Sequence, residues 1–376
     1  PPPPPLFLHA QETLYGPITT IPSPCTWTPP PQSGGHQGRY LWTDAIGVLN
    51  FLTLHHIHPT PPTPTHYLTL ATRLIHTVHN TLGRTRTTPP THLPNASPTH
   101  PLNGGLRIGK PSPTGPDSDG QYHHYLTLWM FALNRTSIAS GDAQYNNMAI
   151  DLGRAIHPKF FVGTKKDRMV WKLDTTLQKV LVGSEGNLDP LDGWVIFRLV
   201  RAFADSCSGR DTGVLEDEIE DYARVLRRKG GQRVVNDMLD LGMTLWTAHW
   251  VVDREEWAGR WLGGGSRGFV YDLFEGERCL DRDVRLRLAF REFGAAMGIR
   301  CVAEQEAEKD RAVDLKVYAD RIVDCWTPYM MGEGEGEEDE LRPITQVMYA
   351  SALIPGAFQR GFFGPEPVIP ERTFYD

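Results

Sequence analysis

The amino-acid sequence predicts an all-α fold, an (α/α)6 toroid with a proline-rich N-terminal arm and long loops, on three observations. Six segments are apolar on nearly every face, amphipathic segments alternate with them, and no extended run shows the period-2 alternation of a strand bounded by hairpin turns. A helix apolar all round must be buried, whereas one with a single apolar stripe faces water. The alternation therefore describes inner helices, each followed by an outer partner. An α-solenoid would repeat every 34 to 47 residues or so, but the inner segments start unevenly, at Trp42, Tyr122, Leu191, Met238, Val284 and Ile344.

Taken in order, the first third is loop-rich. It holds 23 of the 31 prolines by residue 118, and Pro1 to Pro5, Pro29 to Pro31, Pro59 to Thr65 and Thr87 to Pro116 lack the donors or the φ/ψ preference for regular structure. Residues 1–38 are expected to form an arm and residues 39–376 a single domain. The buried helices are expected at Trp42 to Leu54, Tyr122 to Leu133, Leu191 to Ala204, Met238 to Val252, Val284 to Val302 and Ile344 to Phe358. Their outer partners follow at His66 to Leu82, Asp142 to Ile156, the stripe Leu215, Ile219, Tyr222 and Leu226, Arg254 to Leu262, and Asp310 to Trp326. No segment after the sixth buried helix reads as its partner.

Composition excludes several classes. With 40% hydrophobic and 22% charged residues the chain of 376 residues supports a packed core. A formal charge of −7 without a basic run argues against nucleic acid. No stretch matches the roughly 18 apolar residues of a membrane span, and the five cysteines form no C-x-x-C pair, so reduced thiols and a cytoplasmic location are expected, although a chain beginning with Pro1 leaves room for a missing leader.

Chemistry is expected at the entrances to the buried helices. Polar and aromatic residues gather in Gly38-Arg39-Tyr40-Leu41-Trp42-Thr43-Asp44, in Asp119-Gly120-Gln121-Tyr122-His123-His124-Tyr125, and in Gly183 to Trp194. If these entrances share one rim, carboxylates, amides, imidazoles and indoles line a cup suited to a sugar. Helix capping is the competing role for Asp44, Asp119, Asp189 and Asp192. It does not account for Glu185, Asn187, Asp189 and Asp192 falling within eight residues. Neighbours on a helix lie about 100° apart, so one of His123 and His124 should enter the wall and the other the cup. Arg39 is a candidate clamp for a substrate carboxylate or else the partner of a nearby Asp; Trp246 and His249 are candidate stacking residues. The near P-loop Gly104 to Pro111 lacks its Ser/Thr, His55-His56-Ile57-His58 lacks a second ligand cluster, and the acidic run Gly332 to Glu340 lacks calcium-loop spacing. No metal or cofactor is expected.

Arg39-Tyr40-Leu41-Trp42-Thr43-Asp44-Ala45, Gly120-Gln121-Tyr122 and Ser184-Glu185-Gly186-Asn187-Leu188-Asp189-Pro190 resemble a group of uncharacterised fungal and bacterial proteins from about Gly38 onward. Their layout in turn resembles the six-hairpin glycosidase superfamily, which includes glycoside hydrolases, unsaturated glucuronyl hydrolases and, in a related toroid, N-acylglucosamine 2-epimerases. The resemblance implies catalytic carboxylates at the inner rim, here Asp44, Glu185, Asp189 and Asp192. The expected function is that of a carbohydrate-active enzyme hydrolysing a glycosidic or unsaturated uronyl bond, with Glu185 as the acid and Asp44 or Asp192 as its partner. Arg39, Trp42, Gln121, Tyr122, His123, His124, Asn187, Trp194, Trp246 and His249 would bind the saccharide. The alternatives are a sugar isomerase or epimerase using His123 or His124 as base, and a non-catalytic helical binding protein.

Overall fold

Helices form where the hydrophobic pattern places them. The computed structural model describes residues 4–35, 38–59, 63–115, 117–231, 237–252, 270, 272–305, 309–332 and 340–369. In chain order the helices are α1 (Pro5–Tyr15), α2 (Leu41–Ile57), α3 (His66–Leu82), α4 (His123–Ser140), α5 (Gln144–Phe160), α6 (Asp189–Ser208), α7 (Glu216–Lys229), α8 (Met238–His249), α9 (Ala289–Gln305), α10 (Lys309–Met330) and α11 (Arg342–Leu353). The chain is mostly helical. The expected helix at Arg254 to Leu262 and the acidic run at 333–339 lie outside the described residues.

The two helix types differ as their sequences require. Every residue of α2 from Leu41 to Leu54 is buried, whereas α3 buries only His66, Tyr67, Leu70, Ala71, Leu74, Ile75, Val78 and Leu82, one stripe at helical spacing. Helix α7 is the most polar. Glu216, Asp217 and Glu218 in its first turn and Arg227, Arg228 and Lys229 in its last both suit the helix dipole.

Packing follows the chain. Helix α2 packs on α4, α4 on α6, α6 on α8, α8 on α9, α9 on α11, and α11 returns to α2. Against these lie α3 on α2, α5 on α4, α7 on α6 and α10 on α9.

The N-terminus supplies a helix that packs on α11. Residues 1–38 are expected as an arm, but α1 packs on α11, and Phe7, Ala10, Leu14, Tyr15 and Ile18 enter the core. Pro5 occupies a helix-start position, where a proline disturbs nothing. The apolar residues behind it recur at helical spacing.

Two ends also shift. The segment expected from Val284 begins as a separate 3-10 turn, Val284–Leu286, before α9. Helix α11 stops at Leu353, because Pro355 disfavours helical backbone before it. The 3-10 turn Gly356–Phe358 then completes the expected stretch.

The strands are short: β1 (Gln121–Tyr122), β2 (Phe161–Val162), β3 (Arg168–Met169), β4 (Lys172–Leu173) and β5 (Val180–Val182). Strand β4 lies between β1 and β5, antiparallel to both, while β2 pairs with β3. Gln121 lies opposite Leu173, and the His123 N–H donates to Trp171 O at 3.0 Å. This small sheet lays the 161–188 connection across the start of α4. Among the described residues no helix is long and apolar enough to cross a membrane.

Candidate active site

Helix α6 opens with Asp189-Pro190, and the proline sits where its missing N–H leaves no helix bond unmade. Asp189 and Asp192 are therefore three residues apart on one helix face. Both are buried, at 3% and 2% exposure. The start of α4 stands opposite, with His123 Nδ1 at 3.4 Å and His124 Nδ1 at 3.8 Å from Asp189 Oδ1.

The two carboxyls are driven apart electrostatically. Burial acts to raise Asp189, but His123 and His124 outweigh it and hold this carboxyl well below the usual carboxylate range. Asp192 gains no such help. Burial, then the charges of Asp189 and Asp240, push it well above that range. Oδ1 of each residue is buried without a hydrogen-bond partner, so each retains an acceptor for a ligand or a water. An ionised acid beside a protonated one is the division of labour that acid/base catalysis requires.

Neighbouring helix starts complete the surroundings. Asn187 Nδ2 donates to both carboxylate oxygens of Asp240 on α8, at 3.0 Å each. Asp237 caps α8 by accepting from the Asp240 N–H at 3.0 Å, and it pairs with Arg291 near the start of α9. Between α2 and α4, the Tyr40 and Tyr125 hydroxyls meet at 2.8 Å. The starts of α2, α4, α6, α8 and α9 thus adjoin pairwise.

Aromatic rings cover this rim. Trp42 packs on Tyr125 and His124 with ring centroids 5.0 and 5.6 Å apart, and Tyr122 packs on Tyr125 and Trp171. Trp171 Nε1 donates to Ser184 Oγ at 3.1 Å. His124, Tyr125, Trp171 and Asn187 are partly exposed, so they form the surface an incoming molecule meets. The connection can lie this close because residue 186 is glycine: a Cβ there would fall 1.7 Å from Asp189 Oδ2.

Of the residues expected at the site, Asp189, Asp192, Asn187, His123, His124, Tyr122 and Trp42 come together. His123 is fully buried and His124 is partly exposed. The others are placed elsewhere or already engaged. Glu185, the expected acid, forms an ion pair with Arg228 on α7. Asp44 is fully buried and pairs with Arg39 at 3.2 Å, and Arg39 also donates to Pro30 O and Ser33 Oγ. Burial pushes the Asp44 carboxyl up to about 6 against the pull of Arg39. The Arg39 guanidinium is turned to Asp44 and to the 30–33 loop.

Gln121 accepts from the Leu106 N–H and donates to Gly104 O and Thr175 O, which makes it a staple between loops. Trp194 is buried, with the Arg198 guanidinium 4.2 Å from its ring. Trp246 and His249 stand at the other end of α8. Nine residues separate His249 from Asp240, about 13 Å along a helix. His249 Nε2 accepts from the Arg360 N–H at 3.0 Å and Trp246 Nε1 donates to Phe358 O at 3.2 Å. Both residues anchor the C-terminal segment, so the expected stacking role falls away.

Nor do the acids act as caps. No side chain caps the start of α2, α4 or α6. Asp119 instead clamps loops, accepting from Arg107 at 2.6 Å and from the Gly109 N–H at 3.0 Å.

No family model matches the chain, and a search of curated proteins finds no match. The assignment of chemistry therefore rests on the residues themselves. No group of three or more His, Cys, Asp or Glu among the described residues is placed to hold a metal ion.

Three neighbours of the site residues lie outside the expected set, although Tyr125 stands in the Asp119 to Tyr125 cluster. Asp240, with Asp237 three residues before it, marks the α8 entrance as Asp44 and Asp189 mark theirs, and this spacing is the signal that would have found it. Tyr125 follows the paired histidines. Tyr222 carries no such signal, because in sequence it is one member of an outer helix's apolar stripe.

Proposed function

We propose that the chain is a carbohydrate-active enzyme that hydrolyses a glycosidic or unsaturated uronyl bond, with Asp189 and Asp192 as its carboxyl pair. The supporting observation is that these two neighbours on the first turn of α6 have their carboxyls pushed in opposite directions, Asp189 down by the histidines and Asp192 up by burial and neighbouring acids, beneath a partly exposed shelf of His124, Tyr125 and Trp171. Asp192 protonates the leaving oxygen, and ionised Asp189 stabilises the oxocarbenium-like transition state or activates water. The rings offer an apolar face to a sugar. The cyclic order of helix contacts favours an (α/α)6 ring as the scaffold, with α1 as the sixth outer helix.

The test is a glycoside and oligosaccharide panel assayed with wild type, Asp189→Asn, Asp192→Asn and Glu185→Gln. Turnover should fall by about 10³ or more in the two aspartate variants and stay within a few-fold of wild type in Glu185→Gln. Turnover that survives both aspartate changes removes the proposal.

The isomerase or epimerase reading keeps one observation in its favour: His124 is partly exposed and its Nδ1 lies 3.8 Å from Asp189, a geometry that suits a base. Product mass decides between the readings, since hydrolysis adds water, whereas epimerisation conserves mass and incorporates solvent deuterium.

A further inference from the structure

His123 does not touch the mouth, yet it is tied at both ring nitrogens' positions to chemistry. Its Nδ1 lies 3.4 Å from Asp189 Oδ1, and among the described residues neither atom has a formed hydrogen bond. Its Nε2 lies 2.7 Å from the hydroxyl of Tyr222. Tyr222 belongs to α7, an outer helix, and reaches the start of α4 by passing over α6 at Gly193. A Cβ at residue 193 would sit 2.3 Å from the Tyr222 ring, so the ring's position depends on that glycine. Phe161, Phe197 and His157 pack around the same ring, and the side chain is buried.

We propose that Tyr222 is a positioning residue of the site: its hydroxyl donates to His123 Nε2, leaving the imidazole proton on Nδ1 turned toward Asp189, and so orients that carboxylate beside Asp192. The argument is one of donor inventory. A neutral imidazole has one donor and one acceptor nitrogen, and the bond made by one decides the role of the other. The phenol is a strong donor that burial keeps protonated, because burial raises it well above its ordinary range. With Nε2 accepting, the N–H falls to Nδ1, the nitrogen that faces the carboxylate. The charged and titratable groups around these side chains include Asp189 and Asp192 on α6, His124 on α4, His157 on α5, Glu218, Asp221 and Lys229 on α7, and Asp240 on α8. Calling the chain part of a catalytic site rests on the function proposed above; the tautomer does not.

The experiment needs no substrate. Protein labelled with ¹⁵N-histidine is compared by long-range ¹H–¹⁵N correlation at neutral pH as wild type, Tyr222→Phe and His123→Gln, the last to assign the His123 signals. The expected wild-type pattern for His123 is a protonated Nδ1 and an unprotonated Nε2. In Tyr222→Phe, which keeps the ring volume, the Nδ1–H form should lose its dominance while the melting profile remains cooperative. A wild-type His123 found as the Nε2–H tautomer or the imidazolium, or signals unmoved in Tyr222→Phe, overturns the proposal. Should Tyr222→Phe fail to fold, the wild-type pattern alone still decides. A silent sugar panel beside the expected NMR pattern would sink the hydrolase reading and leave the tautomer standing.

Discussion

The entrances to α2 and α6 look alike in sequence and behave differently in the fold. Each places an aspartate in the first turn of a helix buried on nearly every face, and each lies close to aromatic residues. At α2, Asp44 meets a single guanidinium, Arg39, itself held by Pro30 O and Ser33. At α6, Asp189 meets two imidazoles, while burial and the charges of Asp189 and Asp240 act on Asp192. The first arrangement ties the 30–33 loop to the helix. The second sets an acid near two imidazoles beside an acid acted on by burial and further carboxylates, while both entrances leave a buried carboxylate oxygen unpartnered, Asp44 Oδ2 at one and Oδ1 of Asp189 and Asp192 at the other. The identity of what stands opposite an acid, rather than the acid's place on its helix, separates scaffold from candidate chemistry.

Three stability measurements would break or sharpen this contrast. The largest effect is expected for Asp189→Asn, which removes a buried charge that both histidines approach. Urea unfolding at pH 7 should show a loss of about 3–5 kcal/mol. Because this carboxyl is held low in the folded state, its contribution is full above the unfolded value near 4 and fades as pH falls toward the folded one. A variant as stable as wild type at pH 7 would show that Asp189 is not held as described.

Asp44 should titrate with the opposite sign. Its carboxyl is raised to about 6 in the folded protein, so it takes up a proton at higher pH there than in the unfolded chain. Wild type should therefore gain roughly 3 kcal/mol relative to Asp44→Asn as pH falls from 7 to below 4, a shift of about two pK units at 1.36 kcal/mol each. A pH-independent difference between the two proteins would contradict the buried pair.

The smallest effect is expected for Asp192→Asn. In the unfolded chain Asp192 is ionised at pH 7 and the raised carboxyl must take up a proton on folding, which an amide need not do, so stability at pH 7 should rise by about 1 kcal/mol while the proposed activity falls. Thermal melts of wild type and variant at matched pH would read this, and a clear loss of stability would show that Asp192 is structural.

How much was legible depended on the range of the interaction. The helix at Leu41–Ile57 announces itself because its apolar residues cover every face, and the one at His66–Leu82 because they cover a single stripe. Helix α1 was hidden by the surrounding prolines, although Phe7, Ala10 and Leu14 keep helical spacing behind Pro5. The split between His123 and His124 follows from the 100° turn between neighbours on a helix. The pairing of Glu185 with Arg228 does not, since 43 residues separate them. His249 looked like a cup residue because aromatics surround it in sequence; its distance along α8 from Asp240 became meaningful once Asp240 marked the mouth.

Local sequence, then, determined which segments are helices, which of them are buried and where acids and aromatic rings concentrate, because periodicity and burial are properties of a few consecutive turns. Tertiary structure alone decided that Asp44 answers to Arg39, that Glu185 turns to α7, and that Tyr222 crosses Gly193 to reach His123. Protonation and pairing depend on what lies within a few ångströms in space, and for these side chains the decisive neighbours arrive from other helices or loops.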